Sequence, residues 1–470
     1  MKLFRTLATY GLVLAVSTSS AETYVVTSSS DGGAGSLREA IALANSDVDT
    51  DTVLIDDSIA TILLTSGQLE VTESLIILGP IATTTIDAQS SSRGIAVTNP
   101  AASLALRNLS LINGRSNGVD EFGDPVTCLV DSAPGGAVCA AGVVDLDNVR
   151  IANSQTTGFL GSGGGLYAHS AVIRSSTFDS NSTTGVFGNG VGVSVRQDAT
   201  VDSSVFANNV ALQSGSGGGL EVIGELWLNN SIFENNQVQG SLSDGGGLSA
   251  VGFAQISNSS FLNNSADSGG AIAMRDSIEI DSSTFTGNSS DAGEGGALDI
   301  LFADFVVIRN STITGNESPS DAAVHINDIS SGTDLRIRSS ILAGNTGLNG
   351  NYSETINSGG MISFTLSNSA FGDFIDEVDQ TSGPILLDNS YLLGIPADNG
   401  CRTKAGFSLD QRCVQTMLPD PSSQLIDAGA NPAGRPYDQR DLCYDRVVGL
   451  EADIGAVELN SDVLSCNDFE

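Results

Sequence analysis

The sequence predicts an all-β chain whose bulk is a single-stranded right-handed parallel β-helix, a solenoid with a short N-terminal capping helix and a disulfide-bearing C-terminal cap. Three observations predict it. A seven-residue phrase (polar, small, small, apolar, any, small, Asn) recurs about every 27 residues. A second phrase, Gly-Gly-small-apolar, keeps step with it. Between the two, apolar residues alternate with period two, which is the period of a strand.

The first phrase reads SSTFDSN at 175–181, SSVFANN at 203–209, NSIFENN at 230–236 and NSSFLNN at 258–264. It continues as SSTFTGN at 282–288, NSTITGN at 310–316 and SSILAGN at 339–345. Its fourth position gives the ruler Phe178, Phe206, Phe233, Phe261, Phe285, Ile313 and Leu342. Fixed self-similarity at this period marks a solenoid. Each unit has room for a few short strands and no useful helix. Stacked coils pair every strand in parallel with its copies, about 4.8 Å apart. The ruler residues are expected to stack inside the rod. The Asn three positions later is expected to adopt the left-handed turn conformation and to bond the next coil's Asn, as in stacked Asn ladders. Gly-Gly supplies turns that a Cβ would block.

Around this body the reading places four segments. Residues 1–21 read as a signal peptide: Lys2 and Arg5 form the basic region, residues 7–16 the apolar region, and Ser19 and Ala21 the small positions before a cut. The apolar run is far short of the ~20 residues a membrane span needs. Residues 22–70 hold the N-terminal cap, where Ser36 and Glu39 have the spacing of a capping box opening an amphipathic helix through Asn45. Residues 71–375 are the repeats, with an insertion at 113–138 that breaks the rhythm. Residues 376–470 are the C-terminal cap, in which Arg440 is expected to pair with one or more of Asp427, Asp438, Asp453 and Glu458.

Six cysteines in an exported chain favour disulfides. Their clustering suggests Cys128–Cys139, Cys401–Cys413 and Cys443–Cys466, because short loops close most easily. Lys and Arg number 19 against 55 Asp and Glu. That balance excludes a nucleic-acid partner, which needs a basic footprint, and disfavours anionic membrane surfaces. No cofactor is implied. Calcium is a weak option, with Asp120, Glu121 and Asp124 of the insertion as its candidates.

Three parts of the chain resemble known families. GGAI 269–272, GGAL 295–298 and the five Phe-x-x-Asn copies resemble the repeats of chlamydial-type polymorphic outer membrane proteins. That resemblance implies a bacterial adhesin-like β-helix, here without room for a C-terminal autotransporter barrel of ~8 strands. SSSDGGAGSLREAIALAN at 28–45 resembles the N-terminal segment named after Cys-Ser-Leu-Arg-Glu-Ala, with Gly35 in place of its Cys. PADNG 396–400, LIDAG 425–429, DQR 438–440 and ADIGAVE 452–458 resemble the "choice-of-anchor" module (type Q) of bacterial surface β-helix proteins. Together these imply export and cell-surface display.

The function expected is therefore a secreted or cell-surface scaffold, a monomer without catalysis, for recognition or adhesion to an extracellular glycan or surface protein. The first alternative is a polysaccharide lyase or glycoside hydrolase on the same fold. Asp276, Glu294 and Asp299, with Arg275, would then carry it; Glu279, Asp281 and Arg309 lie in the same coils. The second alternative is a structural surface or matrix protein. His169 and His325 are expected to be isolated, with no nucleophilic constellation around them.

Overall fold

The computed structural model describes residues 20–81, 84–117, 128, 134–291, 293–319, 323–327, 332–347, 355–357, 362–372, 380–387, 393–399, 413–440 and 444–459. The signal-peptide reading falls on residues 1–21 and lies almost wholly outside them.

The chain is a right-handed parallel β-helix of about 11 turns. Each repeat coil carries a glycine strand, a middle strand and a phenylalanine strand. In one coil these are Leu220–Val222, Leu226–Asn229 and Ile232–Glu234. A fourth, two-residue strand, such as Gln237–Val238, belongs to a separate seven-stranded sheet. Every strand in the repeats pairs in parallel with its copy one coil away, as Phe206 does with Phe233 and Phe233 with Phe261.

The ruler residues form the core. Phe178, Phe206, Phe233, Phe261, Phe285, Ile313 and Leu342 are all fully buried and in register. The five rings stack at centroid spacings of 5.1, 4.5, 4.7 and 4.8 Å, within 11° of parallel. Coil spacing and ring stacking share one length, so strand pairing and aromatic packing reinforce each other.

The Asn column divides differently from the expectation. Asn181, Asn209, Asn236, Asn264, Asn288, Asn316 and Asn345 form the ladder, each of the first six donating its amide to the next one's Oδ1 at 2.8–3.0 Å. The left-handed conformation belongs to the residue before: Ser180, Asn208, Asn235, Asn263, Gly287, Gly315 and Gly344. The ladder Asn must keep its side chain turned inward, so its small neighbour takes the turn. The glycine pair behaves as expected. Gly245 has φ +67°, and a Cβ on Gly246 would lie 2.4 Å from the Gly270 carbonyl of the next coil.

At the N-terminal end the helix Leu37–Ala44 buries Leu37, Ala40, Ile41 and Ala44. Ser36 Oγ accepts from Glu39 N at 3.2 Å. The Glu39 carboxylate accepts from Gly35 N at 2.6 Å, one residue earlier than a standard capping box. Cys128 and Cys139 form a disulfide and pack with Ala96, Ala141 and Tyr167, which ties the insertion to the outside of the glycine sheet. Asp120, Glu121 and Asp124 lie outside the described residues. Cys413 is disulfide-bonded, while Cys401, Cys443 and Cys466 lie outside the described residues.

The described part of the C-terminal segment runs back along the flank of the phenylalanine sheet. Val414 packs with Val205, Ala207 and Ile232. Gln439 bonds Thr284 Oγ1 and the Ser259 carbonyl, and Gly455 N donates to the Ser339 carbonyl. Among the described residues, no helix is long and apolar enough to cross a membrane.

Candidate functional site

The outward face of the glycine sheet is a groove. Strand alternation makes the middle residue of each glycine strand point away from the core. In register these residues are Tyr167, Ser194, Glu221, Ser249, Ala273, Asp299 and His325. Each is under 10% exposed although it faces outward. Three of the seven, Ser194, Ser249 and Ala273, are short, and columns of residues from the flanking turns run along both sides.

One wall is the column just before the glycine pair: Asn189, Ser216, Asp244, Ser268 and Glu294. The other follows the strand and contains Arg196, Ile223, Val251 and Arg275. Asp244 and Arg275 meet across the floor at 3.2 Å. Their reach is possible because Ser249 and Ala273 beneath them are small.

A cleft of about 470 Å³ opens in this groove, lined by Phe159, Leu160, Phe187, Leu242, Asn189, Ser216, Arg196, Asp244 and Arg275. That is within the ~300–1,000 Å³ of small-ligand sites. Phe159, Phe187 and Leu242 are 55%, 42% and 77% exposed. The two rings meet edge to face at 6.1 Å. Leu160, Phe187 and Leu242 also hold φ near +60°, a costly conformation for large side chains. The loops thus spend both solvation and backbone energy to present apolar surface at a polar cleft.

At the far end of the groove His325 is fully buried between two carboxylates. Its Nδ1 lies 2.7 Å from Asp299 Oδ1, and its Nε2 lies 2.7 Å from Glu294 Oε2. Asp299 is its floor neighbour one coil earlier. Glu294 is 40% exposed and is the open end of the three. Burial holds the Asp244 carboxyl above the ordinary carboxylate range; Arg275 opposes this, and the charges of Asp299 and Asp267 add to it.

The structure therefore divides the sequence candidates. Glu294, Asp299 and Arg275 lie in the groove. Asp276 does not join them: its carboxylate accepts from Ser277 N in the turn beyond Arg275. Glu279 and Asp281 belong to the middle sheet, where they pair with Arg309 and Arg435. The isolation expected of His325 is corrected, because strand register delivers Asp299 to one ring nitrogen and the wall delivers Glu294 to the other. Asp244 was not singled out by sequence. The signal for the His325 contact was present: aligning GGAL 295–298 with DAAV 321–324 places Asp299 under His325.

Four of the five C-terminal candidates, Asp438, Arg440, Asp453 and Glu458, belong to a buried ion cluster, while Asp427 is exposed. Arg440 binds Asp438 at 2.5 Å, donates to the Glu458 carbonyl and covers the Tyr444 ring at 4.1 Å. Asp453 accepts from the backbone of Asp427 and Leu459. The centre that sequence reading passed over is Arg446, fully buried, donating to the Asp453 and Gly455 carbonyls with Glu458 Oε2 at 3.7 Å.

Burial pushes the Glu458 carboxyl up to about 7 from its ordinary 4.5, against two backbone N–H bonds that favour its charge; burial raises Asp438 and Asp453 as well. Between pH 4.5 and 7 the folded state keeps a proton that the unfolded chain has released. Stability therefore falls as pH rises through that window, by on the order of 3 kcal/mol, and levels off above it. Thermal melts between pH 4 and 9 are expected to show this slope. Glu458→Gln is expected to flatten it; a native-like slope in that variant would assign the effect elsewhere.

No family model matches the chain, and no curated protein matches it. Among solved structures, the crystal structure of pectate lyase Pel9A is similar, at 13% identity and a TM-score of 0.41, covering 94% of this chain and 97% of that one. At that level the likeness says nothing about activity.

Proposed function

We propose that the protein is an exported β-helix that recognises an extracellular glycan in the groove of its glycine sheet. The observation that carries this reading is the cleft where exposed Phe159, Phe187 and Leu242 stand beside Arg196, Arg275, Asp244 and Asn189. A sugar ring has an apolar C–H face and a rim of hydroxyls. Aromatic side chains suit the first, and the Asp244–Arg275 pair with Asn189 suits the second. Export is supported by the basic, apolar and small-residue order of residues 1–21 and by the Cys128–Cys139 disulfide. The motif resemblances to surface β-helix proteins agree with display outside the cell.

Affinity electrophoresis of the mature chain through gels carrying soluble polysaccharides tests the reading. The chain is expected to be retarded by at least one of them. Phe159→Ala with Phe187→Ala should weaken that retardation tenfold or more, about 1.4 kcal/mol, as loss of an aromatic anchor does. Retardation unchanged in the double variant would move the binding surface elsewhere.

A further inference from the structure

We infer that the groove also hydrolyses the glycan it binds, with Asp244 as proton donor and Glu294, oriented by the buried His325–Asp299 pair, as the base that activates water. The inference rests on the glycan reading of the same groove.

The two carboxylates occupy one wall column, two coils apart: Asp244 pairs with Ser268, and Glu294 follows one coil later. Two strand spacings put their backbones about 10 Å apart. The residue between them is serine, so the wall is low where a glycosidic bond would lie. Hydrolysis with inversion needs two carboxyl groups about 6.5–9.5 Å apart, leaving room for the sugar and a water. Asp244 reaches onward to Arg275 and Glu294 onward to His325, each one coil further along, so the carboxyl groups keep roughly this column spacing, at the upper end of that range.

Their surroundings set the roles apart. Burial, with the charges of Asp299 and Asp267 adding to it, outweighs the Arg275 ion pair at Asp244 and favours its protonated form. Glu294 stands 40% exposed with its Oε2 held by His325 Nε2. The equivalent floor positions in earlier coils are Tyr167, Ser194, Glu221, Ser249 and Ala273, and the one carboxylate among them, Glu221, accepts from Ser194 Oγ.

In the step, Asp244 gives its proton to the glycosidic oxygen and the bond from that oxygen to the anomeric carbon breaks. Water adds to the anomeric carbon from the opposite face, and its proton passes to Glu294. The products are a new reducing end and a free hydroxyl. Exchange with solvent returns both carboxyls to their starting states. Nothing is oxidised or reduced. His325 and Asp299 are positioning residues that hold Glu294 and share the proton it gains.

The test is reducing-end release from xylan, β-glucan, mannan, alginate and homogalacturonan, followed by NMR of the first-formed anomer. The native chain is expected to release ends with inverted configuration. Glu294→Gln should lower the rate about 10²–10⁴-fold while keeping gel retardation, and Asp244→Asn should lower the rate as far even where polysaccharide is supplied at saturation. Asp276→Asn should match the native chain. His325→Asn should lower kcat, leave KM unchanged and displace the pH–rate profile, which a merely structural role would not do. Retardation without product release overturns the inference and leaves the binding reading intact. Release that survives both carboxyl substitutions, or that retains configuration, overturns it as well. Absence of both retardation and release overturns both readings.

Discussion

Phe233→Ala is expected to destabilise the protein by about 3–5 kcal/mol, the cost of truncating a buried ring in a core that cannot collapse. The ring is fully buried and stacked on both faces, at 4.5 Å on Phe206 and 4.7 Å on Phe261. Its removal breaks two stacked contacts of ~0.5–1.5 kcal/mol each. It also leaves a void that ladder pairing prevents the neighbouring coils from filling. In a solenoid, stability is a sum of coils and the interfaces between them. The damage should therefore appear as a lower-temperature transition of the central coils, read by hydrogen exchange. Phe178→Ala provides the comparison. Its ring stacks on Phe206 alone, with Ile151 as its other neighbour, so a smaller loss is expected. Equal losses at the two positions would count against a continuous aromatic stack.

Arg446→Met is expected to cost about 3–5 kcal/mol, the penalty for breaking one side of a buried ion pair. Methionine fills much of the space but leaves Glu458 facing Asp453 without a cation, and the Asp453 and Gly455 carbonyls without their donor. The loss should concentrate where the guanidinium joins segment to solenoid, since Arg446 also reaches Asn310 Oδ1. Limited proteolysis is expected to release residues 414–459 first while the coils persist. Adding Glu458→Gln should recover part of the loss, because the carboxylate then has no charge to strand. Additive effects of the two changes would show that the groups do not interact.

These two sites also show what was legible in the sequence. The Phe stack was readable because one residue type recurs at a fixed step and strand register converts that step into contact. Cys128 and Cys139 were readable because they lie 11 residues apart, one inside the insertion and one just after it. The groove was harder to see. Period-two alternation marks Ser194, Glu221, Asp299 and His325 as outward, and outward normally means exposed. Here the floor residues are buried between the flanking columns, and the course of those columns depends on turn geometry that period alone does not carry. His325 looked isolated because its partners lie 26 and 31 residues earlier, and its coil has lost the glycine pair that aligns the others. Arg446 was missed because nothing periodic marks it; only the return of the C-terminal segment along the solenoid buries it.

The measurement that tests the central claim most directly is a crystal structure of the mature chain soaked with an oligosaccharide of whichever polysaccharide retards it. The account predicts sugar density along the glycine-sheet groove, with a ring against Phe159 or Phe187 and hydroxyls on Asp244, Arg275 or Asn189. Density confined to another surface, such as the middle sheet around the exposed Trp227, would contradict it.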